Sequence, residues 1–299
     1  MSLRNAVVTA PLPESRFVEI NGLKTHYIDV GSGPAVVLLH GSSLAIDALT
    51  TWRSLINALK DDFRVVAFDQ IGFGLSDLPP NGSLGNRLER VAHARRLIEA
   101  LGLKQAALVG HSEGAFMAAR LAIELENFAT AVVAVTSGGL SPRLGGEADA
   151  SWIEASRATY TYETDADNED GFIRQSRLLT SAIRPDLEER LRQNYRRPAT
   201  KTQLALFRQF KRGPNYPDDY LALQTNHIFP FADRLPQTLL AWADCDKTVP
   251  VERALALQKL LKKADLHVFS GAAHMVMYDR EDGFNALLRN WLGNTLKER

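Results

Sequence analysis

The feature that most constrains this chain is a serine-centred turn between an apolar strand pattern and an apolar helix pattern. The turn reads Gly110-His-Ser-Glu-Gly114 and is followed by a helix pattern at residues 115–126. A serine in such a turn takes a strained backbone, and its flanking positions must be small. The pattern predicts an exposed Ser112 hydroxyl at the carboxyl end of a buried strand, with the Glu113 N–H beside it. Because the motif also arises by chance, its meaning depends on partners elsewhere in the chain.

Length and composition exclude several classes of protein. The chain has 299 residues, of which 45% are hydrophobic, and this suits one α/β domain with an insertion. Basic and acidic residues number 35 each, so no global charge favours nucleic acid or an anionic membrane. The single cysteine, Cys245, excludes an internal disulfide framework. Residues 1–13 form an arm without a signal-peptide pattern, and no stretch approaches the ~20 apolar residues of a membrane span, which predicts a cytoplasmic protein.

Strand and helix patterns alternate along most of the chain. Asn21-Gly22 joins two β-like runs and predicts a hairpin. Later apolar runs predict strands buried on both faces, and they lie at residues 35–39, 64–68, 105–109, 130–135 and 238–242. With helix patterns between them, these runs predict an α/β fold whose sheet is mostly parallel and doubly wound.

The alternation stops at Ser137-Gly-Gly139. The sequence predicts a sheet domain in two parts, residues 1–139 and 231–299, interrupted by a helical insertion at residues 140–230. The insertion has eight acids against one base at residues 144–170, and eleven bases against three acids at residues 174–212. Either these halves neutralise each other at the surface, or one or two arginines turn inward to hold an acidic substrate group.

A nucleophilic serine needs a base within hydrogen-bond reach and an acid that orients the base. Among the seven histidines, His274 follows a strand pattern and a glycine-containing breaker, at the edge where open α/β sheets place their sites. The acid is expected between the serine and the histidine in chain order. Asp244 and Asp246 both follow the strand pattern that ends at Trp242, and the Asp-x-x-Val-Pro spacing favours Asp246.

An oxyanion needs two N–H donors, and the loop after the strand at residues 35–39 is placed to supply one of them. This loop reads His40-Gly41-Ser42, and its glycine allows a close approach to substrate. We predict that the N–H groups of Ser42 and Glu113 are the two donors. No metal and no cofactor are expected.

These motifs together resemble the α/β-hydrolase family across nearly the whole chain. The matching pieces are His40-Gly41, Asp69-x-x-Gly72-x-Gly74-x-Ser76, Gly110-x-Ser112-x-Gly114, Asp246-x-x-Val249-Pro250 and His274. The resemblance implies the α/β-hydrolase fold, with the helical insertion as a cap over the site.

Within this family the chain is similar to the meta-cleavage-product hydrolases, which split a carbon–carbon bond in vinylogous 1,5-diketones. The similarity is carried by Leu266-His-Val-Phe-Ser270 before His274, and by residues 186–190. It implies that Arg190 matches a substrate-carboxylate-binding arginine, and that Met275 stands where the group has a substrate-binding Trp. Other departures are Ser43-Leu-Ala-Ile in place of Gly-Pro-Gly, Ser54 in place of Asn, and Glu113 in place of Met or Leu.

We therefore expect a cofactor-free serine hydrolase that cleaves a small carboxylic ester through an acyl-enzyme. Ser112 attacks, His274 moves the proton, and Asp246 orients His274. One alternative is C–C hydrolysis of a dienoate whose carboxylate is held by Arg190, and another is a non-enzymatic ligand receptor on the same fold. The expected partner is a small-molecule substrate, and neither nucleic acid nor a membrane is expected to bind. The sequence leaves open whether the protein forms a homodimer.

Overall fold

The two amino-terminal strands form the hairpin that Asn21-Gly22 predicts. In the computed structural model, which describes residues 12–159, 166–209 and 216–297, β1 (Arg16–Ile20) pairs antiparallel with β2 (Leu23–Val30). Asn21 and Gly22 have φ angles of 53° and 76°, the left-handed backbone that a two-residue hairpin turn requires. Residues 1–11 of the predicted arm lie outside the described residues.

Eight strands form one sheet in the order β1-β2-β4-β3-β5-β6-β7-β8. The further strands are β3 (Ala35–Leu39), β4 (Arg64–Phe68), β5 (Ala106–His111), β6 (Ala129–Val135), β7 (Thr238–Ala243) and β8 (Ala264–Phe269). β2 runs antiparallel to β1 and β4, while all pairs from β4 to β8 are parallel. The mostly parallel sheet predicted from the sequence is confirmed.

Helices cover both faces of the sheet, so side chains that alternate along a strand enter two different cores. Val36 and Leu38 of β3 pack in the core beneath α1 (Ala48–Leu59) and α11 (Glu281–Lys297). Val37 and Leu39 pack in the core on the other face. That second core lies beneath α2 (Arg87–Ala100), α3 (Glu113–Glu124) and α9 (Val251–Leu260). This double cover explains why the central strands read as unbroken apolar runs.

Between β6 and β7, the described part of the helical insertion carries five α-helices. They are α4 (Gly146–Thr159), α5 (Glu169–Ser176), α6 (Pro185–Tyr195), α7 (Pro198–Gln209) and α8 (Tyr216–His227). Sequence patterns at residues 153–160, 171–181, 186–195 and 201–210 predict the first four of these helices, although α5 ends at Ser176 and not at Ser181. The predicted ends at Tyr160 and Phe210 lie outside the described residues. The sequence did not predict α8, because apolar residues do not mark one buried face of this helix. The polar Gln224 is buried, whereas the apolar Leu223 is only half-buried.

The Asp69 motif fixes the loop that follows β4. One carboxylate oxygen of Asp69 accepts from the Ala48 N–H at 2.8 Å, which ties this loop to the start of α1. The other accepts from the Leu75 N–H at 2.8 Å and lies 2.8 Å from His26 Nδ1. A Cβ at Gly74 would lie 2.1 Å from that second oxygen, so only glycine fits there. This motif therefore has a structural role at the edge where the site forms.

Acid sensitivity of the fold is expected from His93 of α2. Its side chain is buried, with Nε2 2.8 Å from Thr25 Oγ1, and burial, aided by Arg96, lowers its pKa to about 4. In the unfolded chain the pKa returns to about 6.5, so between these values the unfolded state binds more protons and stability falls as the pH falls. From pH 7.5 to 4.5 this one group should remove about 2.5 kcal/mol from the free energy of unfolding. Urea unfolding at both pH values should show that the free energy of unfolding falls less in His93→Gln than in the wild type, by about this amount. An equal fall in both proteins would contradict the assignment to His93.

Candidate active site

Ser112 lies in the turn between β5 and α3, at the carboxyl end of a central strand. Its φ and ψ of 53° and −120° fall in a region that L residues seldom adopt. A Cβ on Gly110 would lie 2.2 Å from the Gly114 carbonyl oxygen, and a Cβ on Gly114 would lie 2.2 Å from the Leu39 carbonyl oxygen. Both flanking positions therefore require glycine, and the strained serine turn is as the motif predicts.

His274 and Asp246 form a buried pair. His274 Nδ1 lies 2.8 Å from Asp246 Oδ2, and their side chains are 2% and 0% exposed. A carboxylate facing Nδ1 favours the tautomer in which Nδ1 donates and Nε2 keeps a lone pair. Nε2 is buried and has no hydrogen-bond partner among the described residues. This is the state that a general base needs.

The orientation of Asp246 is fixed by the residues that follow it. Its Oδ1 accepts from the Thr248 N–H at 2.8 Å, from the Thr248 hydroxyl at 2.7 Å and from the Val249 N–H at 3.1 Å. Thr248 Oγ1 also lies 3.0 Å from His274 Nδ1. Asp244, in contrast, is exposed and accepts from the Gly271 N–H at 2.7 Å. The structure thus places Asp246 rather than Asp244 against His274, and it adds Thr248, which sequence reasoning missed.

The backbone of His274 is held by two further groups that were not predicted. Thr136 Oγ1 donates to the His274 carbonyl oxygen at 2.8 Å, and His111 Nε2 lies 3.1 Å from the same atom. The ring centroids of His111 and His274 are 4.7 Å apart. Burial, reinforced by His274, lowers the pKa of His111 well below its usual value, so His111 stays neutral and donates from Nε2. No sequence signal could have shown these contacts, because they join segments far apart in the chain.

The loop after β3 passes directly over Ser112. A Cβ at Gly41 would lie 3.1 Å from Ser112 Cβ, so glycine permits this approach. His40 holds the loop: its Nδ1 donates to the Gly41 carbonyl oxygen at 2.6 Å, and its Nε2 accepts from the Gln70 N–H at 3.0 Å. Ser42 follows Gly41, and Glu113 follows Ser112. The two predicted oxyanion donors therefore belong to two segments that meet at the serine.

The Glu113 side chain forms a buried ion pair with Arg87 of α2. Arg87 Nε lies 2.5 Å from Oε2 and Nη2 donates to Oε1 at 3.0 Å, with side chains 6% and 12% exposed for Arg87 and Glu113. Tyr220 of α8 also donates its hydroxyl to Oε1. Burial opposes ionisation, but Arg87 and Arg90 outweigh it and lower the pKa of Glu113. The carboxylate that follows Ser112 is thus paired with residues that the sequence did not reveal.

Arg190 of α6 contacts Asp47, the N-cap of α1. Arg190 Nη2 and Arg197 Nη1 lie 3.3 Å and 3.0 Å from Asp47 Oδ2, and Asn194 Nδ2 donates to it at 3.0 Å. Burial works against the Asp47 carboxylate, but Arg190, Thr50 and Arg197 together lower its pKa. Arg190 Nε is buried and has no hydrogen-bond partner among the described residues. Arg190 therefore turns inward, but toward a carboxylate of the chain itself.

Arg192, two positions further on, faces the surface. It contacts Glu169 at 2.9 Å, Asp170 at 2.8 Å and Glu188 at 2.9 Å. Arg196 makes a further pair with Glu169 at 2.7 Å. These ion pairs join the acidic and basic halves of the insertion, so much of the charge asymmetry is neutralised within the insertion. Arg190 differs, because its partner Asp47 lies outside the insertion.

Met275 lies in the wall between the sheet domain and the insertion. It is 2% exposed, and its N–H donates to the Leu179 carbonyl oxygen at 2.8 Å. With Ser43, Leu44 and Leu191 it lines a small, largely apolar cleft.

Among the described residues no set of His, Cys, Asp and Glu side chains is arranged to hold a metal ion. In the same part of the chain no helix is long and apolar enough to cross a membrane.

A family model described as the alpha/beta hydrolase fold matches residues 34–281. A 2-hydroxy-6-oxo-2,4-heptadienoate hydrolase of Pseudomonas putida is 29% identical over 277 residues, which cover 93% of this chain and 95% of the relative. A 2-hydroxymuconate semialdehyde hydrolase of Pseudomonas sp. strain CF600 is 28% identical and covers 91% of each chain. The solved meta-cleavage product hydrolase of Pseudomonas fluorescens IP01 superposes with a TM-score of 0.78 at 23% identity, over 95% of this chain and 98% of that one. The resemblance inferred from the motifs is confirmed.

Proposed function

This chain belongs to the α/β-hydrolase fold family, and from that premise we propose that it splits a carbon–carbon bond in an acidic 2-hydroxy-6-oxo-dienoate. The hydrolytic part of the proposal depends on one observation, the buried Asp246–His274 pair whose Nε2 has no partner among the described residues. The substrate class is supported by the relatives, whose names specify dienoates and a muconate semialdehyde. Residues 140–230 then form a cap on a core made of residues 1–139 and 231–299.

In the proposed reaction the substrate first moves the proton of its 2-hydroxyl group to C5, which gives the 2,6-dioxo tautomer. The Ser112 hydroxyl then adds to the C6 ketone carbon while His274 accepts its proton. The N–H groups of Ser42 and Glu113 stabilise the oxyanion, and Asp246 stabilises the imidazolium. When the bond between C5 and C6 breaks, its electron pair leaves as a dienolate that is delocalised onto the 2-oxo group, and His274 returns the proton to that oxygen, which gives the 2-hydroxydienoate product. A water molecule, deprotonated by His274, then releases the acyl group from Ser112.

The proposed role of Arg190 is to bind the substrate carboxylate. Two guanidinium groups, those of Arg190 and Arg197, contact the single Asp47 carboxylate, so Asp47 neutralises one positive charge at this contact and not both. An anionic ligand would also satisfy the buried Nε of Arg190. Both observations favour an acidic substrate.

Hydrolysis of a small neutral ester is the second candidate. It is favoured by the Asp47 contact, because a substrate carboxylate must share Arg190 with a carboxylate that is already present. Met275 adds to this, since an apolar side chain lines the cleft where the resemblance implies Trp. The two candidates use the same Ser112, His274 and Asp246 and differ only in substrate recognition.

The substitution Arg190→Gln separates the two candidates. A charge-assisted contact to a carboxylate contributes about 1.5–3 kcal/mol, so kcat/KM for a 2-hydroxy-6-oxo-dienoate should fall roughly 10- to 150-fold while p-nitrophenyl acetate is hardly affected. Asp47 keeps Arg197 and Asn194 as partners in this variant. Arg192→Gln, on the same helix but in a surface ion-pair network, is the matched control and should change neither substrate.

Turnover of the wild-type protein tests the proposal itself. Loss of dienoate absorbance, with the 2-hydroxydienoate product and the carboxylic acid identified by mass, is the expected result. Turnover of the ester without turnover of the dienoate would select the second candidate. If neither substrate is hydrolysed, both substrate assignments are wrong.

A further inference from the structure

Two aromatic rings of the helical insertion lie between two arginines of the sheet domain. Trp152 of α4 and Tyr220 of α8 pack edge to face with centroids 5.6 Å apart. The Arg253 guanidinium carbon of α9 lies 4.0 Å from the Trp152 ring, and that of Arg87 of α2 lies 3.8 Å from the Tyr220 ring. Each contact is within the range of a cation–π interaction. The stack therefore fixes the α4–α8 pair to two helices of the sheet domain.

Both arginines are held by buried polar partners, so the stack is a rigid support. Arg253 is 1% exposed, forms an ion pair with Asp149 at 2.7 Å and donates to the Pro142 carbonyl oxygen at 2.9 Å. Arg87 pairs with Glu113 and donates to the Gln224 side chain at 2.9 Å. Gln224 in turn donates to the Ser141 carbonyl oxygen at 3.1 Å.

Each aromatic side chain has one polar group, and each polar group reaches a different part of the active site. The Tyr220 hydroxyl donates to Glu113, the residue directly after Ser112. The Trp152 indole N–H donates to the carbonyl oxygen of Thr248, whose N–H and hydroxyl both bind Asp246. One aromatic pair thus contacts the turn that carries the nucleophile and the loop that carries the acid.

We propose that Trp152 and Tyr220 are positioning residues, through which the α4–α8 pair holds the Ser112 turn and the Asp246 loop in register with each other. The inference rests on the proposed roles of Ser112, His274 and Asp246, and it does not depend on the identity of the substrate. Catalysis by a serine, a histidine and an acid needs their mutual geometry to within a fraction of an ångström, and a displacement of about 1 Å can lower a rate by roughly 100-fold. The two residues act through Glu113 and Thr248 and do not contact the reacting atoms.

The test uses variants that each remove one hydrogen bond and keep an aromatic side chain. Tyr220→Phe keeps the same ring, whereas Trp152→Phe places a smaller phenyl ring against Arg253. Tyr195→Phe is the matched control, because the Tyr195 hydroxyl donates at 2.8 Å to the Ala166 carbonyl oxygen, within the insertion, and its ring stacks on Phe172. The readouts are the second-order rate of Ser112 labelling by a fluorophosphonate, kcat and KM for p-nitrophenyl acetate, and the Tm of each variant.

Tyr220→Phe and Trp152→Phe should each lower the labelling rate and kcat about 10-fold with little change in KM, since a small acetate needs few contacts with the insertion. Tyr195→Phe should keep the wild-type labelling rate and kcat even if its Tm falls as much as the Tm of the other two variants. In a Glu113→Ala background the effect of Tyr220→Phe should shrink below threefold, because alanine lacks the oxygen through which the Tyr220 hydroxyl acts. Labelling rates for Tyr220→Phe and Trp152→Phe within twofold of the Tyr195→Phe rate would overturn the inference. Absence of labelling in the wild-type protein would instead overturn the proposed function.

Discussion

Replacing Ser112 by alanine is expected to lower kcat by about 10⁴-fold or more while the fold stays intact. Without the hydroxyl no acyl-enzyme forms, and only binding and oxyanion stabilisation remain. Alanine keeps the Cβ, so the strained turn between Gly110 and Gly114 meets no new atom. The circular dichroism spectrum should match that of the wild-type protein, and the Tm should agree within a few degrees. The fall in kcat can then be attributed to the missing hydroxyl and not to unfolding.

Covalent labelling checks the same assignment without a substrate. A fluorophosphonate should modify Ser112 alone in the wild-type protein, and Ser112→Ala should not be labelled. The neighbouring Ser42 provides an internal control, because we assign only its backbone N–H a role. Modification of another serine, or full activity of the alanine variant, would show that Ser112 is not the nucleophile.

Replacing Asp246 by asparagine is expected to lower kcat by about 10⁴-fold through the wrong histidine tautomer. Three donors, from Thr248 and Val249, converge on Asp246 Oδ1, so the amide oxygen of asparagine should take that position. The amide NH₂ then replaces Oδ2 and donates to His274 Nδ1. His274 must carry its proton on Nε2, where it can no longer accept one from Ser112.

Asp244→Asn is the control for this experiment, because both aspartates follow the same strand. Asp244 is exposed and binds the Gly271 N–H, so its loss of charge should change kcat less than about threefold. A larger loss for Asp244→Asn than for Asp246→Asn would show that Asp244, and not Asp246, is the acid.

The sequence alone was enough to predict the sheet and the turns that present the candidate site. Asn21-Gly22 determines a hairpin because both residues accept a positive φ. Gly110, Ser112 and Gly114 determine the turn because its strain and its close contacts arise among neighbours in the chain and one adjacent strand. Leu187 and Leu191 are four residues apart, a spacing that places both on one face of a helix, and both side chains of α6 are buried. Such requirements are local, so a sequence pattern carries them.

Only the tertiary structure decided where the charged and polar groups find their partners. Glu113 pairs with Arg87 and Tyr220, and Arg190 pairs with Asp47, across long stretches of chain that no periodicity connects. A buried charge must be neutralised, but several residues could have neutralised it, and packing of the helical insertion on the sheet selects one. The sequence therefore determined which groups can do chemistry, whereas the packed fold determined which of them meet, because long-range charge pairing has no local signature.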